Sequence, residues 1–470
     1  MSNNKTLIPT KEGNLSTRES AIIGAIRIYL LAAVIGLVTG GLASAFHYCL
    51  DRAFDLHAKV ASLFSGSSMN ETLAAALLGA AMAAIAAVLV RTFAPEAAGS
   101  GVQEIEGALQ GLRNIRWQRV IGVKFVGGVL AIGAGLLLGR EGPTIHMGGC
   151  VGKMIGGKTK SDGHTMNTLV AAGAGAGLST AFSAPLAGVI FVTEEMRKRF
   201  DYNFVSLHAV IIACVIAKVV NDQVFGMTPP LPLHLRSWLP AALDLQEVFV
   251  SVSLYLILGI LIGVCGTGFN TGLVACLRIT DRLSHTTMLF VASTLGAAGG
   301  ALLVVAPEFA GGGESMIRIV FSSAPALGVV VVLFAGRVLM TFLSYSAGVP
   351  GGIFAPMLAL GTLIGIGFGS FVQPFFPYAE LYGGAFAIAA MGGLFAATVR
   401  APLTGIVLVA ELTGNFELLT VMILTCLTAS VTAQLMGSKP IYEVLLARTL
   451  GAQSKPGYGE RAVGAIKGGW

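Results

Sequence analysis

The sequence predicts an all-α polytopic membrane protein, and three observations support this fold class. Hydrophobic residues make up 54% of the 470 residues and charged residues only 11%, with a mean hydropathy of +0.79. Soluble domains carry roughly 25% charged residues, so this chain is suited to lipid. Apolar stretches of about 20 residues, long enough to cross a bilayer, recur along the chain. Many are interrupted by glycine or proline, which a membrane tolerates only where helix ends lie within protein or line a cavity.

The charge distribution predicts the orientation. Residues 1–20 are polar, are too long for a signal-peptide n-region, and precede no small-residue cleavage site. We expect them to form a cytoplasmic tail. The net charge of +6 indicates basic cytoplasmic loops rather than nucleic-acid binding. Both termini, the loop 113–119 and Arg197 to Arg199 are therefore expected in the cytoplasm, and the segment 228–247, with Arg236 as its one basic residue, on the opposite side.

The cysteines and histidines indicate neither a metal site nor a disulfide framework. The six cysteines lie singly in apolar runs without CxxC spacing, and the seven histidines form no HExxH pair. We expect no cofactor and no metal.

The chain contains an internal repeat. Three segments of the first half recur in the second half in the same order, at offsets of 212 to 217 residues: APEAAGSG (94–101) as APEFAGGG (306–313), PTIHMGGCVG (143–152) as PMLALGTLIG (356–365), and APLAGVIFVTE (184–194) as APLTGIVLVAE (401–411). Shared membrane composition explains isolated matches but not this order. Two copies of one membrane unit predict a transporter architecture, in which inverted repeats place a substrate site near the midplane. Inversion follows if each copy crosses the membrane an odd number of times.

Three glycine-rich turns each lead into an apolar helix: GSGVQE (99–104), GREGP (139–143) and GGIFAP (351–356). The first turn of a helix exposes unpaired N–H groups at the positive end of its dipole. Glycine lets an ion approach the backbone, and proline suits the first turn. Several such ends meeting inside the protein predict an anion site. For one motif alone, the alternative is that glycine only allows close helix packing.

With these motifs the chain resembles the CLC family of chloride channels and chloride/proton antiporters, and is similar above all to its bacterial antiporters. The resemblance also rests on EEM after APLAGVIFVT and on KPIYEVLLARTL, so it extends from residue 99 to residue 450. It implies a CLC-type fold with two inverted-topology repeats of tilted and broken helices and one pore per subunit. It further implies a homodimer in the lipid bilayer of a bacterial inner membrane, with chloride ions and protons as substrates and no nucleic-acid partner.

The resemblance and the repeat divide the chain into four parts. We expect the tail over residues 1–20, the first membrane repeat over 21–200 and the second over 201–436. Residues 437–470 are expected to hold Tyr442 at a helix start and a short cytoplasmic tail, without the paired regulatory (CBS) domains of many eukaryotic members.

For the anion, the resemblance implies two groups of contacts. Ser100 and Tyr442 would offer hydroxyl donors to a central chloride, and the backbone N–H groups of Ile353 and Phe354 would complete that site. One position departs from the family pattern, since Gln103 stands where many members have proline. The serine is retained, whereas nitrate-preferring plant members replace it with proline, so the pattern favours chloride.

For the proton, the resemblance implies a role for three glutamates. Glu141 would be the gate, Glu195 the inner proton-transfer residue and Glu194 its neighbour on the proton path. The backbone N–H groups of Arg140 and Gly142 would help to form an outer anion site. From the residues alone, Glu141 has a second interpretation, a carboxylate that caps a helix start. The Arg140 side chain either supports the positive potential or pairs with an acid elsewhere.

Other buried polar residues receive structural interpretations. Glu411, the repeat match of Glu194, is assigned to structure or to the far vestibule. Glu104 and Glu106 are expected to make buried hydrogen bonds. Lys124 either adds positive potential or pairs with one of these two acids. His146 is interpreted as a packed core histidine.

Two other functions compete with the proton-coupled antiporter. A passive chloride channel would have the same fold, but many such channels lack an acid at the position of Glu195. An intramembrane serine protease using Ser100 would need a histidine placed to activate it. A scaffold role does not explain acids at buried helix ends.

Overall fold

In a computed structural model the described part of the chain forms seventeen α-helices. The structure describes residues 11–64, 67–196, 200, 202–227, 229–233, 245–323, 325–376 and 379–453. The helices are α1 (Lys11–Ser62), α2 (Ser68–Phe93), α3 (Val102–Leu109), α4 (Trp117–Gly133), α5 (Glu141–Lys158), α6 (Gly163–Phe182), α7 (Pro185–Glu195), α8 (Phe204–Phe225), α9 (Leu245–Thr280), α10 (His285–Val305), α11 (Glu314–Ser323), α12 (Leu327–Ser346), α13 (Phe354–Val372), α14 (Ala379–Val399), α15 (Pro402–Thr413), α16 (Leu419–Leu435) and α17 (Ile441–Gln453).

Eight of the described helices are long and apolar enough to cross a membrane. The prediction of an all-α polytopic membrane protein is therefore confirmed. Helix α1 begins at Lys11, inside the segment expected as a tail, but its apolar part starts only at Ile22. Helices α3, α7, α11 and α15 have 8, 11, 10 and 12 residues. At 1.5 Å per residue they are too short to cross a bilayer, as expected for broken helices.

The two halves of the chain use the same helix order and the same packing. Helix α5 packs on α6 as α13 packs on α14, α1 packs on α8 as α9 packs on α16, and α6 packs on α8 as α14 packs on α16. The equivalent helices are thus α1 to α8 and α9 to α16. The domain boundaries remain a prediction.

The equivalent short helices α7 and α15 run antiparallel, as inverted repeats require. The Glu194 carboxylate, at the end of α7, accepts hydrogen bonds from the N–H groups of Leu403 and Thr404 in the first turn of α15, at 3.1 and 2.8 Å. The Glu411 carboxylate, near the end of α15, accepts from the N–H groups of Leu186 and Ala187 in the first turn of α7, at 3.2 and 2.9 Å. Each helix therefore ends where the other begins.

Polar side chains cap the starts of α6 and α8. Asp162 accepts a hydrogen bond from the Thr165 N–H at 2.8 Å and caps α6. The hydrogen bonds from Thr165 hold the pKa of the Asp162 carboxyl below its usual range. Asn203 and Ser206 form a capping box at the start of α8.

Candidate functional site

Backbone hydrogen bonds tie together the three glycine-rich turns. The Gly99 N–H donates to the Val349 carbonyl, and the Gly351 N–H donates back to the Gly99 carbonyl, both at 3.0 Å. Gly139 and Gly352 exchange two hydrogen bonds, of 2.8 and 2.7 Å. Because α3, α5 and α13 each begin just after one of these turns, all three helix starts meet at one place.

Glycine is required where these turns touch. A Cβ on Gly142 would lie 2.7 Å from Ser100 Oγ and 2.9 Å from the Cα of Gly352. A Cβ on Gly352 would lie 2.9 Å from Glu141 Oε1. All three distances are shorter than real Cβ contacts, so the backbones could not meet here with any other residue. Ser100, Gly142 and Gly352 thus form the centre of the candidate site.

The residues expected to bind a central anion are fully buried around this centre. Ser100, Ile353, Phe354 and Tyr442 are each 0% exposed. The Tyr442 ring packs 5.7 Å from the ring of Phe354, between centroids, and α17 packs on α3. Phe354 is the first residue of α13, so its N–H has no acceptor within the helix.

Two hydroxyl groups in this centre lack partners. Neither Ser100 Oγ nor Tyr442 Oη has a hydrogen-bond partner among the described residues. Buried polar groups are normally hydrogen-bonded, and leaving one without a partner is unfavourable. Two such hydroxyls close to three helix starts are a donor set suited to an anion.

The Glu141 carboxylate lies at the positive end of a neighbouring helix. Glu141 is 0% exposed, and its Oε1 accepts a hydrogen bond of 2.8 Å from the Ala355 N–H, in the first turn of α13. Oε2 has no partner within the described part of the chain. The carboxylate thus occupies a position where backbone N–H groups would otherwise bind an anion. Glu141 caps α13, a different helix from the one that it begins.

The two neighbours of Glu141 have different environments. Gly142 is buried against Ser100. The Arg140 guanidinium forms an ion pair of 2.9 Å with Glu314, the first residue of α11, and both side chains are partly exposed. Of the two interpretations of Arg140, the structure therefore supports pairing with an acid elsewhere.

The other two predicted glutamates end helix α7. Glu195 is its last residue and is half-buried. Both carboxylate oxygens of Glu194 accept hydrogen bonds from the first turn of α15, and Oε2 also accepts one from Thr404 Oγ1 at 2.8 Å. Arg197 to Arg199, the basic patch expected to follow, lies outside the described residues.

A buried cation supports the turn that carries Ser100. Lys124 is 0% exposed, and its Nζ donates to the carbonyls of Ala97 and Gly99, at 3.0 and 2.7 Å. Its hydrogen bonds thus go to backbone carbonyls, while Glu104 pairs with Arg113 at 2.7 Å. The expectation of a buried hydrogen bond for Glu104 is met, with a partner that the sequence did not indicate.

The second repeat contains the same arrangement. Arg337 lies 213 residues after Lys124, is also 0% exposed, and donates to the carbonyls of Glu308 and Gly311, at 2.7 and 3.0 Å. These acceptors lie in APEFAGGG, the match of the segment that Lys124 binds. Sequence reasoning missed Arg337, although the repeat offset from Lys124 would have identified it.

A cavity of about 1080 Å³ opens beside the Ser100 turn. Gly99, Gln103 and Tyr345 line it together with four arginines, Arg91, Arg113, Arg116 and Arg448. The Tyr345 hydroxyl, which sequence reasoning also missed, accepts the Ser100 N–H at 3.3 Å. Burial raises the pKa of Glu96 in this lining, but the hydrogen bonds from Arg116, a backbone hydrogen bond and the charges of Arg116 and Arg113 together hold the pKa below its usual value.

His146 is packed beside the same turn, as a buried residue of α5. Its ring contacts Gly101, immediately after Ser100. Ser100 Oγ nevertheless has no hydrogen-bond partner among the residues that the structure describes. The serine–histidine pair that a protease needs is therefore not formed. Within the same described ranges, no cluster of His, Cys, Asp or Glu could hold a metal ion.

Comparisons with known proteins identify related chains. A family model described as "Voltage gated chloride channel" matches residues 81–434. The chain is 43% identical over 430 residues to the H(+)/Cl(-) exchange transporter ClcA of Vibrio parahaemolyticus, covering 90% of each chain. It is similar to the crystal structure of a slow cyanobacterial Cl-/H+ antiporter, with 38% identity and a TM-score of 0.86, covering 91% of this chain and 99% of that one. A eukaryotic CLC transporter shares the fold at 19% identity, with a TM-score of 0.74, covering 90% of this chain and 74% of that one.

Proposed function

Because the chain belongs to the voltage-gated chloride channel family, we propose that it is a proton-coupled chloride antiporter of a bacterial inner membrane. The relatives named above as Cl-/H+ exchangers or antiporters support exchange over passive conduction. One observation carries the proposal. The Glu141 carboxylate occupies the start of α13, next to two buried hydroxyls without partners.

In this mechanism the Glu141 carboxylate competes with chloride for helix N-termini. When ionised, it accepts the Ala355 N–H and blocks the anion path. When protonated, it loses its attraction to the positive helix end and swings away, so that chloride takes its place. The backbone N–H groups of Arg140 and Gly142 then contribute to the outer anion position. One side chain thus links proton occupancy to chloride occupancy.

The central chloride binds between the two repeats. Ser100 and Tyr442 donate their hydroxyls, and Ile353 and Phe354 their backbone N–H groups. The support for this site is that all four residues are buried around one centre and that both hydroxyls lack another partner. A desolvated anion gains most from donors that are already oriented, since little reorganisation is needed.

Protons reach the gate from the inner side through Glu195. This carboxylate is half-buried at the end of α7, on the segment that precedes the basic patch. Glu194 is its neighbour on the path. The assignment of Glu194 is the weaker of the two, because both of its oxygens already bind α15.

The arginine-lined cavity is the cytoplasmic vestibule in this proposal. Residues of the 113–116 loop and of α17 both line it, which supports a position for the two segments on one side of the protein. The basic side of a membrane protein faces the cytoplasm. We expect two such subunits to form a homodimer, each with its own anion path.

The test is transport in liposomes that contain the purified protein. A chloride gradient should drive protons uphill in the opposite direction, and a proton ionophore should abolish the pH change. Chloride flux without any uphill proton movement would instead establish a passive channel.

A further inference from the structure

His146 lies on the face of α5 that meets the Ser100 turn. It follows Gly142 by four residues, so the two share one face of the helix. Gly142 contacts Ser100, and the His146 ring occupies the space where a Cβ of residue 101 would lie, with Nδ1 as its nearest atom. Gly101 has a φ of +88° and is the N-cap residue that immediately precedes α3. The imidazole therefore lies directly beside the start of α3.

The Nδ1 atom of His146 has no hydrogen-bond partner in the described ranges, although the residue is only 1% exposed. Two cations, Lys124 and Arg113, act on the ring, and Arg113 is itself paired with Glu104. The start of α3 is also electropositive. A buried polar atom in such surroundings needs a partner, and the surroundings favour an anion over a cation.

The segment that the ring touches borders the cavity. Gly99 and Gln103, which bracket the segment that His146 touches, both line the cavity. An ion that moves between the cavity and Ser100 passes this segment. A buried nitrogen without a partner, but far from this segment, would not indicate an anion contact.

We propose that the neutral His146 ring donates a hydrogen bond from Nδ1–H to chloride on the cavity side of Ser100, and so favours chloride over larger anions. A neutral imidazole carries one N–H, and the tautomer with the proton on Nδ1 supplies the donor. Chloride gains more from this donor than a larger, weakly hydrated anion such as thiocyanate does. The inference rests on the proposed chloride transport and adds one residue to its site.

Calorimetric titration with chloride and with thiocyanate tests this role. His146→Leu retains much of the side-chain volume and removes the donor, whereas His146→Gln retains an N–H group. We expect His146→Leu to bind chloride about tenfold more weakly, the scale of one hydrogen bond to an ion, and thiocyanate with a smaller loss. His146→Gln should recover most of the chloride affinity. His57→Leu, at another buried histidine, should bind both anions like the wild type.

Three results would overturn the proposal. The first is an unchanged chloride affinity in His146→Leu. The second is an equal loss of chloride affinity in His146→Leu and His146→Gln. The third is an equal loss of affinity for chloride and thiocyanate in His146→Leu. Each of these last two results would mean that His146 acts through packing alone. If thermal unfolding reveals that His146→Leu does not fold, His146→Phe, which keeps a planar ring without an N–H, takes its place in every comparison. A wild-type protein that binds no chloride would instead refute the proposed function, so the two failures are distinct.

Discussion

Glu194 and Glu411, 217 residues apart, each cap the first turn of the helix that ends with the other. Both carboxylates accept two backbone N–H groups, at 2.8 to 3.2 Å. A carboxylate at a helix start satisfies unpaired donors and interacts favourably with the dipole. Equivalent glutamates of the two repeats therefore cap each other's helices. This relationship gives Glu194 a structural role besides its place on the proposed proton path.

The capping role of Glu194 and Glu411 can be tested separately from proton transfer. Glu194→Gln and Glu411→Gln each lose a charged acceptor, so we expect each to lower the free energy of unfolding by about 1–2 kcal/mol. Thermal unfolding in detergent measures this loss. Only Glu194→Gln should also lower the ratio of protons to chloride in liposomes. A wild-type ratio in Glu194→Gln would limit this residue to its capping role.

The hydroxyls of Ser100 and Tyr442 should determine chloride affinity. Each of Ser100→Ala and Tyr442→Ala removes one donor to a desolvated ion, which corresponds to a loss of about 1–3 kcal/mol in binding. Tyr442→Phe, which removes only the oxygen, should give a similar loss. Chloride titration calorimetry measures all three. Thr341→Val, which removes another buried hydroxyl, serves as the control. Unchanged affinity in all three variants would remove both residues from the site.

The two acidic residues of the proton path should respond differently to pH. Wild-type chloride flux should rise as the outside pH falls, because protonation moves Glu141 out of the anion path. Glu141→Gln mimics the protonated gate, so its chloride flux should not change with pH and its proton pumping should vanish. Glu195→Gln should also pump no protons, but its chloride flux should keep the outside pH dependence. Both fluxes are measured together in liposomes.

Uphill proton movement at the wild-type rate in either variant contradicts part of this scheme. In Glu195→Gln it would refute the assignment of the inner acid. In Glu141→Gln it would refute the entire gating mechanism.

Lys124 and Arg337, the equivalent buried cations of the two repeats, allow a matched comparison of their effects on stability and on chloride binding. Lys124→Met and Arg337→Met each leave two backbone carbonyls without their donor, so each should destabilise the protein by about 1–3 kcal/mol. Only Lys124→Met should weaken chloride binding, because Lys124 supports the turn of Ser100 whereas Arg337 supports the 308–311 turn. Calorimetry with both variants checks this difference. Equal chloride affinities in the two would mean that Lys124 acts on stability alone.

The orientation can be tested at the basic loop. In a background whose six native cysteines are replaced, Asn114→Cys should react with a membrane-impermeant thiol reagent only from the cytoplasmic side. The reason is the excess of arginine in the segment 113–119, which comprises this loop and the first residues of α4. Labelling from the outside of intact cells would reverse the proposed topology.

Local motifs made much of the candidate site predictable from the sequence, whereas the contacts that support it could not be predicted. Helix starts and glycine turns depend on neighbouring residues, so the positions of Ser100, Glu141 and Phe354 could be read from the sequence. The partner of Glu104, the acceptors of Lys124 and the contact of Tyr345 with Ser100 depend on segments that meet only in the folded chain. The start of α1 at Lys11 was also missed, because hydropathy identifies the apolar part of a helix and not its polar extension.

The hydrogen bonds between Gly139 and Gly352 have an evolutionary consequence. They join a turn of the first half to a turn of the second, and the residues around them come from both halves. A half-length ancestor could have assembled this centre only by pairing with a copy of itself inserted upside down. Such an ancestor needed dual topology, with little bias in its basic loops. Duplication and fusion of such an ancestor would account for the internal repeat and would let each copy take a fixed orientation, with a glutamate at position 141 of the first copy and Phe354 at the matching position of the second.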